Sequence, residues 1–471
     1  MMNTASGWPE ILITDTMSGK KQPLATLVPG EVGIYCCGPT VYDMSHIGHA
    51  RAALSPDVMV RFLRQQGYRV RYVRNITDID DKIIARAQKD GLPAADVAAR
   101  YADEYHRDLA ALGMLIPDVE PRVSDHLPEI IALVETLQER GLAYAVDSDV
   151  YYRVNAFGPY GRLSGRSRDE LLGGVGSRVD VDERKENPLD FALWKAAKPG
   201  EPAWDSPWGS GRPGWHIECS AMSSTHLGRT FDIHGGGRDL IFPHHENEIA
   251  QSEACTGKKF VNYWLHNEYL IVEGRKMSKS LGNFYTLRDV LGKGYSGLAV
   301  RYLLLATHYR QQLNFSFKGL EAATAALERY NDFVVNLREY PGGESDGTAG
   351  AVIEKAWTGF EEALDDDLNI SGALGVVFDY VRDINRLRTE GKLSAPERDR
   401  ALETIERFDT VLGFAKEQEQ LDERIEQMIA ERTAAKKSRD FATADRIRDE
   451  LVQMGIVLED TPQGVRWKRK V

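Results

Sequence analysis

Two cysteines and two histidines lie close together in one stretch near the start of the chain, YCCGPTVYDMSHIGHAR. An apolar strand is predicted to end at Cys37, and His46 and His49 open a predicted helix. A helix N-terminus favours anions because its free N–H groups and the positive end of its dipole lie there. Gly48 would let a phosphate chain approach the backbone while the imidazoles donate hydrogen bonds. The pattern indicates a phosphate site, with two surface histidines at a helix start as the alternative.

A second candidate for phosphate contacts is the basic stretch EGRKMSKSLGN, 230 residues further along the chain. Lys276 and Lys279 are separated by short residues in a loop flanked by glycines. Such a loop can close over a phosphate chain, and its lysines can neutralise charge that develops at the α-phosphorus. A basic loop on its own is more often solvated surface. The two motifs together favour phosphate chemistry.

Candidate metal ligands occur in two further stretches, GWHIECSAMSS and FPHHENEIAQSE. The second predicts a helix after Pro243, on which His244 and Glu248 share a face because they lie four residues apart. Thiolates, imidazoles and carboxylates are the usual zinc ligands, four in a tetrahedral set. The chain offers one such set: Cys37, Cys219, His244 and Glu248.

Spacing leaves two choices in this set open. His245 lies three residues before Glu248 and can replace His244. Cys36 and Cys37 point to opposite faces of a strand, so only one of them can reach the site. Buried cysteines and a solvated acidic helix are the alternative for any one of these residues. That alternative weakens because all of them lie in segments beside the phosphate motifs.

The scaffold for these residues is predicted to be α/β. Strand and helix patterns alternate in EVGIYCCG, HARAALSPDVMVRFLRQQGY, RVRYVRNIT and DKIIARAQKDG. This order predicts a doubly wound parallel sheet, in which ligands bind at the carboxyl ends of the strands. The stretch 123–214 is rich in Gly, Pro and charge, which predicts an insertion with exposed loops.

The last third of the chain is predicted to be mainly helical. After residue 319, apolar residues recur at spacings of three and four, which indicates a bundle of about four helices. RDFATADRIRDELVQMG carries one apolar stripe, and IVLEDTPQGVRW predicts two strands around a Thr-Pro-Gln-Gly turn. The chain is therefore expected to end in a small α+β unit.

Composition indicates a globular protein of about three domains, with 471 residues of which 42% are hydrophobic and 28% charged. Four dispersed cysteines do not form a disulfide framework. No signal-peptide pattern and no apolar run of membrane-spanning length occur, so we expect a cytoplasmic protein without membrane contact. The net charge is −12, but ten Lys/Arg against seven Asp/Glu leave +3 on residues 431–471 and −15 on the rest. This distribution permits a nucleic-acid partner.

Both phosphate stretches, HIGH and KMSKS, are unsubstituted and resemble the signature motifs of class I aminoacyl-tRNA synthetases. Within that class the chain resembles the cysteinyl-tRNA synthetase family from about residue 10 to its end. The stretches that carry this resemblance are YCCGPTVYDMSHIGHAR, RNITDIDDKI, GRPGWHIECSAM, FDIHGGGRDLIFPHHENEIAQSEA, HNEYLIVEGRKMSKSLGNF, and DFATADRIRDEL with GIVLEDTPQGVRW.

The resemblance implies one active-site zinc ion per chain. Its ligands correspond to Cys37, Cys219, His244 and Glu248, which leaves Cys36 and Cys255 to packing. Zinc has a chemical purpose in such an enzyme. Cysteine and serine are similar in size, so a shape pocket rejects serine only weakly. Because a thiol is far more acidic than a hydroxyl, metal coordination turns that difference into specificity.

The other site residues are expected to contact the substrates. Stabilisation of the phosphoryl transition state, with Mg²⁺, is expected from His46, His49, Lys276 and Lys279. ATP is expected to contact His46, Gly48, His49, Gly235, Gly236, Gly237 and Lys279. Cysteine is expected to contact Gly38, Thr77 and Trp215. The tRNA is expected to contact Lys436, Asp445 and Asp460.

The implied activity is ATP-dependent attachment of L-cysteine to tRNA(Cys) through cysteinyl-adenylate, without a covalent enzyme intermediate. The expected partners are tRNA(Cys), L-cysteine and ATP, and the chain is expected to be a monomer. The expected divisions are a catalytic domain in two halves (1–122 and 215–270), an insertion (123–214), the KMSKS loop with a stem-contact region (271–319), a helical bundle (320–415) and an anticodon-recognition unit (421–471).

Two other functions share part of this pattern. Ligases that resemble the family join cysteine to an amino-sugar amine in mycothiol biosynthesis by the same adenylate and zinc chemistry. They lack the C-terminal unit, which this chain has. A zinc-organised RNA-binding module without catalysis is the second alternative, and the two intact ATP motifs argue against it. Cysteine-dependent ATP–pyrophosphate exchange discriminates enzyme from binding module.

Overall fold

The computed structural model describes residues 10–173, 183–414, 418–461 and 464–469. Its first elements are β1 (Leu12–Asp15), β2 (Lys20–Pro23), β3 (Glu31–Cys36), α1 (Ile47–Gln65), β4 (Arg69–Arg74), α2 (Asp81–Asp90) and α3 (Ala94–Ala111). β1 and β2 form an antiparallel hairpin. β3 and β4 pair in parallel and are joined by α1, as the strand–helix–strand pattern predicts.

The predicted insertion is more regular than its composition suggests. It contains α4 (Leu127–Glu139), β5 (Ala143–Val146), β6 (Asp149–Tyr152), α5 (Arg168–Gly173), β7 (Phe191–Ala196) and β8 (Gly211–Pro213). The four strands form an antiparallel sheet in the order β5-β6-β7-β8. Tyr152 and Trp194 of this sheet are fully buried in one core with Tyr35 and Val73 of the parallel sheet. In the described part of this stretch, exposed loops are confined to the connections, such as residues 198–210, which lie outside the strands and helices and are mostly exposed.

The catalytic half resumes after the insertion. Its elements are α6 (Ile217–Leu227), β9 (Phe231–Gly237), α7 (Glu246–Thr256), β10 (Val261–Asn267), β11 (Leu270–Val272), β12 (Arg275–Lys276), α8 (Leu287–Leu291), α9 (Gly297–Leu305) and β13 (Leu313–Phe315). β9 pairs in parallel with both β3 and β10, which gives a parallel sheet in the order β10-β9-β3-β4. α1 packs into the core on one side, and α6 and α7 into the core on the other. The prediction of a doubly wound parallel sheet is confirmed.

Four helices follow, as predicted. They are α10 (Phe317–Arg338), α11 (Thr348–Asp365), α12 (Ile370–Thr389) and α13 (Ala395–Leu412). Their apolar faces continue the core that surrounds α1. The bundle therefore buries its apolar stripes partly against the catalytic domain.

The C-terminal unit contains α14 (Gln418–Lys437), α15 (Phe441–Gln453), β14 (Ile456–Thr461) and β15 (Gly464–Arg469). The two strands pair antiparallel, as the Thr-Pro-Gln-Gly turn predicts. A separate small core holds the unit together, formed by Ile425, Ile429, Ile447, Leu451 and Ile456. Among the helices of the described ranges, none is both long and apolar enough to cross a membrane.

Candidate active site and metal centre

Four candidate metal ligands converge at the carboxyl edge of the parallel sheet. Cys37 directly follows β3, and its N–H donates to the carbonyl of Gly235 in β9 (3.2 Å). Cys219 lies in the first turn of α6, His244 precedes α7, and Glu248 lies in the first turn of α7. One ligand atom from each of Cys37, Cys219, His244 and Glu248 lies within 4.8 Å of the others.

The spacing of these atoms fits a tetrahedral zinc ion. Zinc bound at about 2.0–2.3 Å holds its ligand atoms roughly 3.3–3.8 Å apart. The Sγ of Cys37 lies 3.8 Å from the Sγ of Cys219 and 3.7 Å from Oε1 of Glu248. Nε2 of His244 lies 3.1 Å from the same carboxylate oxygen. The donor set and its geometry therefore suit zinc.

A second set of candidate ligands overlaps the first. Cys37, His234, His245 and Glu248 also bring ligand atoms within 4.8 Å of one another. Nε2 of His245 lies 3.3 Å from the Sγ of Cys37 and 3.9 Å from Oε1 of Glu248. The structure thus places both histidines of the pair beside the cluster. The first set is softer, because it contains two thiols instead of one.

Burial and neighbouring groups shift the pKa values of the cluster strongly. A hydrogen bond from Cys37 lowers the pKa of the Cys219 thiol to about 6. Burial raises the pKa of the Cys37 thiol well above its ordinary value. Burial also acts to raise the pKa of Glu248, but His234 and His244 outweigh it and lower that pKa to about 2. The lowered pKa values of Cys219 and Glu248 therefore favour the thiolate and the carboxylate, the charged ligands a cation needs.

Two histidines that the sequence analysis did not single out support the cluster. Nε2 of His234 lies 2.9 Å from Oε2 of Glu248, so the other carboxylate oxygen is left for a metal. Nδ1 of His216 lies 3.0 Å from Nδ1 of His244, which leaves Nε2 of His244 toward the cluster. Such outer partners fix the orientation of metal ligands. His216 lies inside GWHIECSAMSS, and His234 directly precedes Gly235. Both therefore lie in or beside stretches that the sequence analysis had identified as candidate site segments.

The N-terminus of α1 presents the two signature histidines. Nδ1 of His46 accepts from the N–H of Gly48 (3.1 Å), and the N–H of His46 donates to Nδ1 of His49 (3.3 Å). Because Nδ1 accepts in both rings, the ring proton lies on Nε2, the nitrogen that can donate to a phosphate. Burial lowers the pKa of His49 to about 3, so its ring is neutral at physiological pH. A Cβ at Gly48 would lie 2.8 Å from the His46 ring, so this arrangement needs glycine.

The two signature stretches meet at this helix end. The N–H of Ile47 donates to the carbonyl of Tyr285 (3.2 Å), and the N–H of Leu287 donates to the carbonyl of Ser45 (3.3 Å). These bonds join segments that are more than two hundred residues apart in the chain. The structure therefore brings the KMSKS loop to the predicted phosphate site.

The lysines of this loop lie on either side of a turn. Lys276 ends β12 and its side chain is exposed. Lys279 begins a short helical turn, and its side chain lies outside the described residues. The ring of Phe284, just beyond the loop, lies edge-on to the His46 ring at 5.3 Å.

The residues expected to contact cysteine lie around the same edge. A Cβ at Gly38 would lie 1.6 Å from the carbonyl oxygen of Asn75, so only glycine fits between the ends of β3 and β4. Thr77 is buried, and its hydroxyl donates to Oε2 of Glu218 (3.2 Å). Glu218 is itself fully buried and was not singled out from the sequence.

Trp215 and the glycine run complete this edge. Trp215 is 39% exposed, and its ring lies 4.6 Å from the ring of His244. Gly235, Gly236 and Gly237 end β9 beside Cys37. A pocket opens between this edge and α1, and its lining includes Cys37, Gly235 and Gly236.

The expected tRNA contacts belong to the C-terminal unit. Lys436 lies in the last turn of α14 and Asp445 in α15, and both side chains are exposed. Asp460 belongs to β14, and its side chain lies outside the described residues. These residues belong to other elements than those that carry the candidate metal ligands and the signature histidines.

Known proteins match the chain over nearly its whole length. Residues 23–325 match the family of tRNA synthetases class I (C) catalytic domains, and residues 359–416 match the DALR domain. Residues 418–467 match the cysteinyl-tRNA ligase anticodon binding domain. The cysteine–tRNA ligase of Geobacter sulfurreducens is 49% identical over 97% of this chain and 99% of its own. That of Alkalilimnicola ehrlichii is 50% identical over the same shares.

The chain belongs to the cysteine–tRNA ligase family.

The ligase is therefore an enzyme of the class I aminoacyl-tRNA synthetases, and it has an anticodon-binding domain. A solved structure agrees with this fold: Mycobacterium tuberculosis methionyl-tRNA synthetase in complex with methionyl-adenylate superposes with a TM-score of 0.59 at 18% identity. The superposition covers 82% of this chain and 90% of that one. A synthetase of this architecture binds an amino acid, ATP and tRNA.

Proposed function

We propose that the enzyme joins L-cysteine to tRNA(Cys) in two steps. The carboxylate of cysteine attacks the α-phosphorus of ATP, pyrophosphate leaves, and cysteinyl-adenylate forms. The 2′- or 3′-hydroxyl of the terminal adenosine then attacks the carbonyl carbon, and AMP leaves. One observation carries the proposal: the signature histidines, the KMSKS loop and the thiol–imidazole–carboxylate cluster meet at one edge of the parallel sheet.

We assign selection of cysteine to the first ligand set, which would hold one zinc ion per chain: Cys37, Cys219, His244 and Glu248. When bound, zinc supplies a Lewis acid that favours a thiol over the hydroxyl of serine. His234 and His216 hold the carboxylate and imidazole ligands in place. Trp215, whose ring lies 4.6 Å from that of His244, is assigned to contact the substrate side chain.

The phosphates of ATP with Mg²⁺ are assigned to the N-terminus of α1 and to the KMSKS loop. His46 and His49 donate from Nε2, because Nδ1 of each ring is already an acceptor. Lys276 and Lys279 neutralise the charge that develops on the phosphates. The backbone at Gly48 and at Gly235, Gly236 and Gly237 permits close approach of the nucleotide.

The remaining assignments follow from the family resemblance. Gly38, Thr77 and Trp215 are proposed to contact the cysteine substrate. Lys436, Asp445 and Asp460 are proposed to contact the anticodon. We further propose that the ligase acts in the cytoplasm as a monomer, with the domain divisions predicted from the sequence.

The deciding experiment is cysteine-dependent ATP–pyrophosphate exchange with a variant of the signature loop. Lys279→Ala should lower the rate of adenylate formation by about two orders of magnitude, the scale of losing one transition-state donor. Cysteine binding should change little. Lys258→Ala, at an exposed lysine outside the motifs, is the matched control. If cysteine binding collapsed while the rate at saturation survived, Lys279 would act in substrate capture instead.

A further inference from the structure

One side chain closes the loop that carries the KMSKS stretch. Nδ2 of Asn283 donates to the carbonyl of Val272, the last residue of β11 (3.3 Å), and to the carbonyl of Lys276 (3.1 Å). Oδ1 of Asn283 accepts from the N–H of Ser278 (2.9 Å). The amide therefore contacts the backbone at the start of the loop and at two positions inside it.

The chemistry of these contacts favours an amide specifically. Two carbonyls need a donor, and one N–H needs an acceptor, and a side-chain amide offers both from one planar group. A carboxylate offers acceptors only and would face two carbonyl oxygens. Within the loop, the N–H of Leu281 donates to the carbonyl of Ser278 (3.3 Å) and closes the turn that contains Lys279. This turn therefore begins at Ser278, the residue whose N–H donates to Asn283.

We propose that Asn283 is a positioning residue for the adenylation step. It acts through the backbone of residues 276–278 and so sets where Lys276 and Lys279 stand relative to the ATP phosphates. The role rests on the proposed function, because it assumes that the two lysines contact the phosphates. A catalytic group that is misplaced by about 1 Å can lower the rate about 100-fold. Loss of the Asn283 hydrogen bonds, which lie close to both lysines, should therefore lower the rate of adenylate formation.

The test compares two substitutions at this position with a matched control. Asn283→Ala removes all three bonds, and Asn283→Asp keeps only an acceptor for the N–H of Ser278. Asn314→Ala is the control, because Oδ1 of Asn314 accepts from the N–H of Gly274 in the same loop (2.9 Å) without contacting residues 276–278.

We expect both Asn283 variants to lower kcat of ATP–pyrophosphate exchange by about 10- to 100-fold. Cysteine affinity and zinc content should equal those of the wild type, since the loop supplies none of the four proposed zinc ligands. Trypsin should cleave after Arg275, Lys276 and Lys279 faster in both variants, because the loop is released. Asn314→Ala should change kcat by less than about twofold.

The possible outcomes are distinct. Wild-type kcat in both Asn283 variants, with Lys279→Ala impaired, would overturn the positioning role and leave the proposed function standing. An equal loss in Asn314→Ala would also overturn it, because the effect would then belong to the loop base in general. A normal rate in Lys279→Ala would instead refute the assumed role of the lysine. If Asn283→Ala did not fold, the isosteric Asp variant would decide alone.

Discussion

Cys36 and Cys37 are chemically identical neighbours with opposite surroundings. Cys36 is the last residue of β3 and lies in the apolar core, where burial raises its pKa to about 12. Cys37 lies one residue further, at the sheet edge, beside Cys219 and Glu248. The alternation of side chains along a strand therefore separates a packing residue from a candidate ligand.

The metal assignment gives a prediction for single residues. Cys219→Ala and His244→Ala should lose bound zinc, because each removes one ligand of a four-ligand site. His245→Ala should retain it, since His245 belongs only to the overlapping second set. Metal analysis of the purified proteins measures this directly, and thermal unfolding shows whether each variant is folded. A full zinc content in the first two variants would refute the ligand set, and zinc loss in His245→Ala alone would favour the second set.

Sequence spacing alone could identify the residue types of this metal site, but it could not select the histidine ligand or find the outer histidines that contact the ligands. The cysteines and the His-His-Glu run were visible as zinc ligands, whereas the choice between His244 and His245 was open. The structure shows why: both imidazoles reach the same carboxylate oxygen, at 3.1 and 3.9 Å. Their difference lies in the partners of their other nitrogens, His216 and His266, which only the folded chain brings near.

At the scale of elements, the N-terminus of α1 combines two properties that suit an anion. The positive end of the helix dipole lies there, and Nδ1 of both His46 and His49 accepts a backbone N–H, which places each ring proton on Nε2. A protonated His49 would add charge, but burial disfavours that form. The attraction for an anion that we expect at this helix end therefore rests on oriented dipoles, without a charge on His49.

This state of His49 predicts how stability depends on pH. The pKa of His49 is about 3 in the folded protein and about 6.5 when unfolded, so below pH 6.5 the unfolded chain binds a proton that the folded one does not. The contribution of His49 to the free energy of unfolding should therefore fall by about 2 kcal/mol between pH 8 and pH 5. His49→Asn keeps an acceptor for the N–H of His46 but does not titrate. Urea unfolding at pH 8 and pH 5 measures this, and the free energy of unfolding should depend less on pH in His49→Asn than in the wild type. An equal pH dependence in both proteins would contradict the lowered pKa of His49.

Helices long enough to show a repeating apolar stripe were predictable from the sequence, and the short strands of the insertion were not. Each bundle helix and α15 shows apolar spacing because one face packs inward. The strands of the insertion are short, and Tyr152 and Trp194 are buried against the parallel sheet. Their apolar residues therefore stand in segments of three to six residues between turns and longer connections, a pattern that resembles loops.

At the scale of the whole molecule, the enzyme consists of a catalytic body and a C-terminal unit with its own core. The five residues of that core all belong to α14, α15 and β14. Among the described side chains, this core shares no residue with the cores that hold the catalytic sheet. Amino-acid activation and RNA recognition should be separable.

Truncation after residue 415 tests this separation. Cysteine-dependent ATP–pyrophosphate exchange should stay within about twofold of the full chain, since the phosphate and zinc stretches all end by residue 280. Transfer to tRNA should fall by more than about tenfold, which corresponds to about 1.4 kcal/mol of lost binding. Full charging by the truncated protein would show that the C-terminal unit is not the RNA reader and would strengthen the mycothiol-type alternative.

A point substitution in the same unit provides the sequence-specific control. Asp460→Ala should weaken transfer to tRNA with the native GCA anticodon, because a carboxylate accepts from amino and ring N–H groups of unstacked bases. The same variant should show no further loss with a tRNA whose anticodon is altered. An equal loss with both tRNAs would assign Asp460 to folding of the unit instead.

The strand order of the parallel sheet has a consequence for synthesis of the chain on the ribosome. β3 acquires β4 as a neighbour early, but its other edge is covered only when β9 has emerged, about two hundred residues later. A nascent chain that ends before Glu248 carries Cys37 without a complete ligand set, and one that ends before Leu287 lacks the contacts that bring the KMSKS loop to α1. Such long-range pairing delays folding of the site. Copies that end before Leu287 therefore lack the proposed ATP site, and copies that end before β9 leave one edge of β3 exposed to other chains.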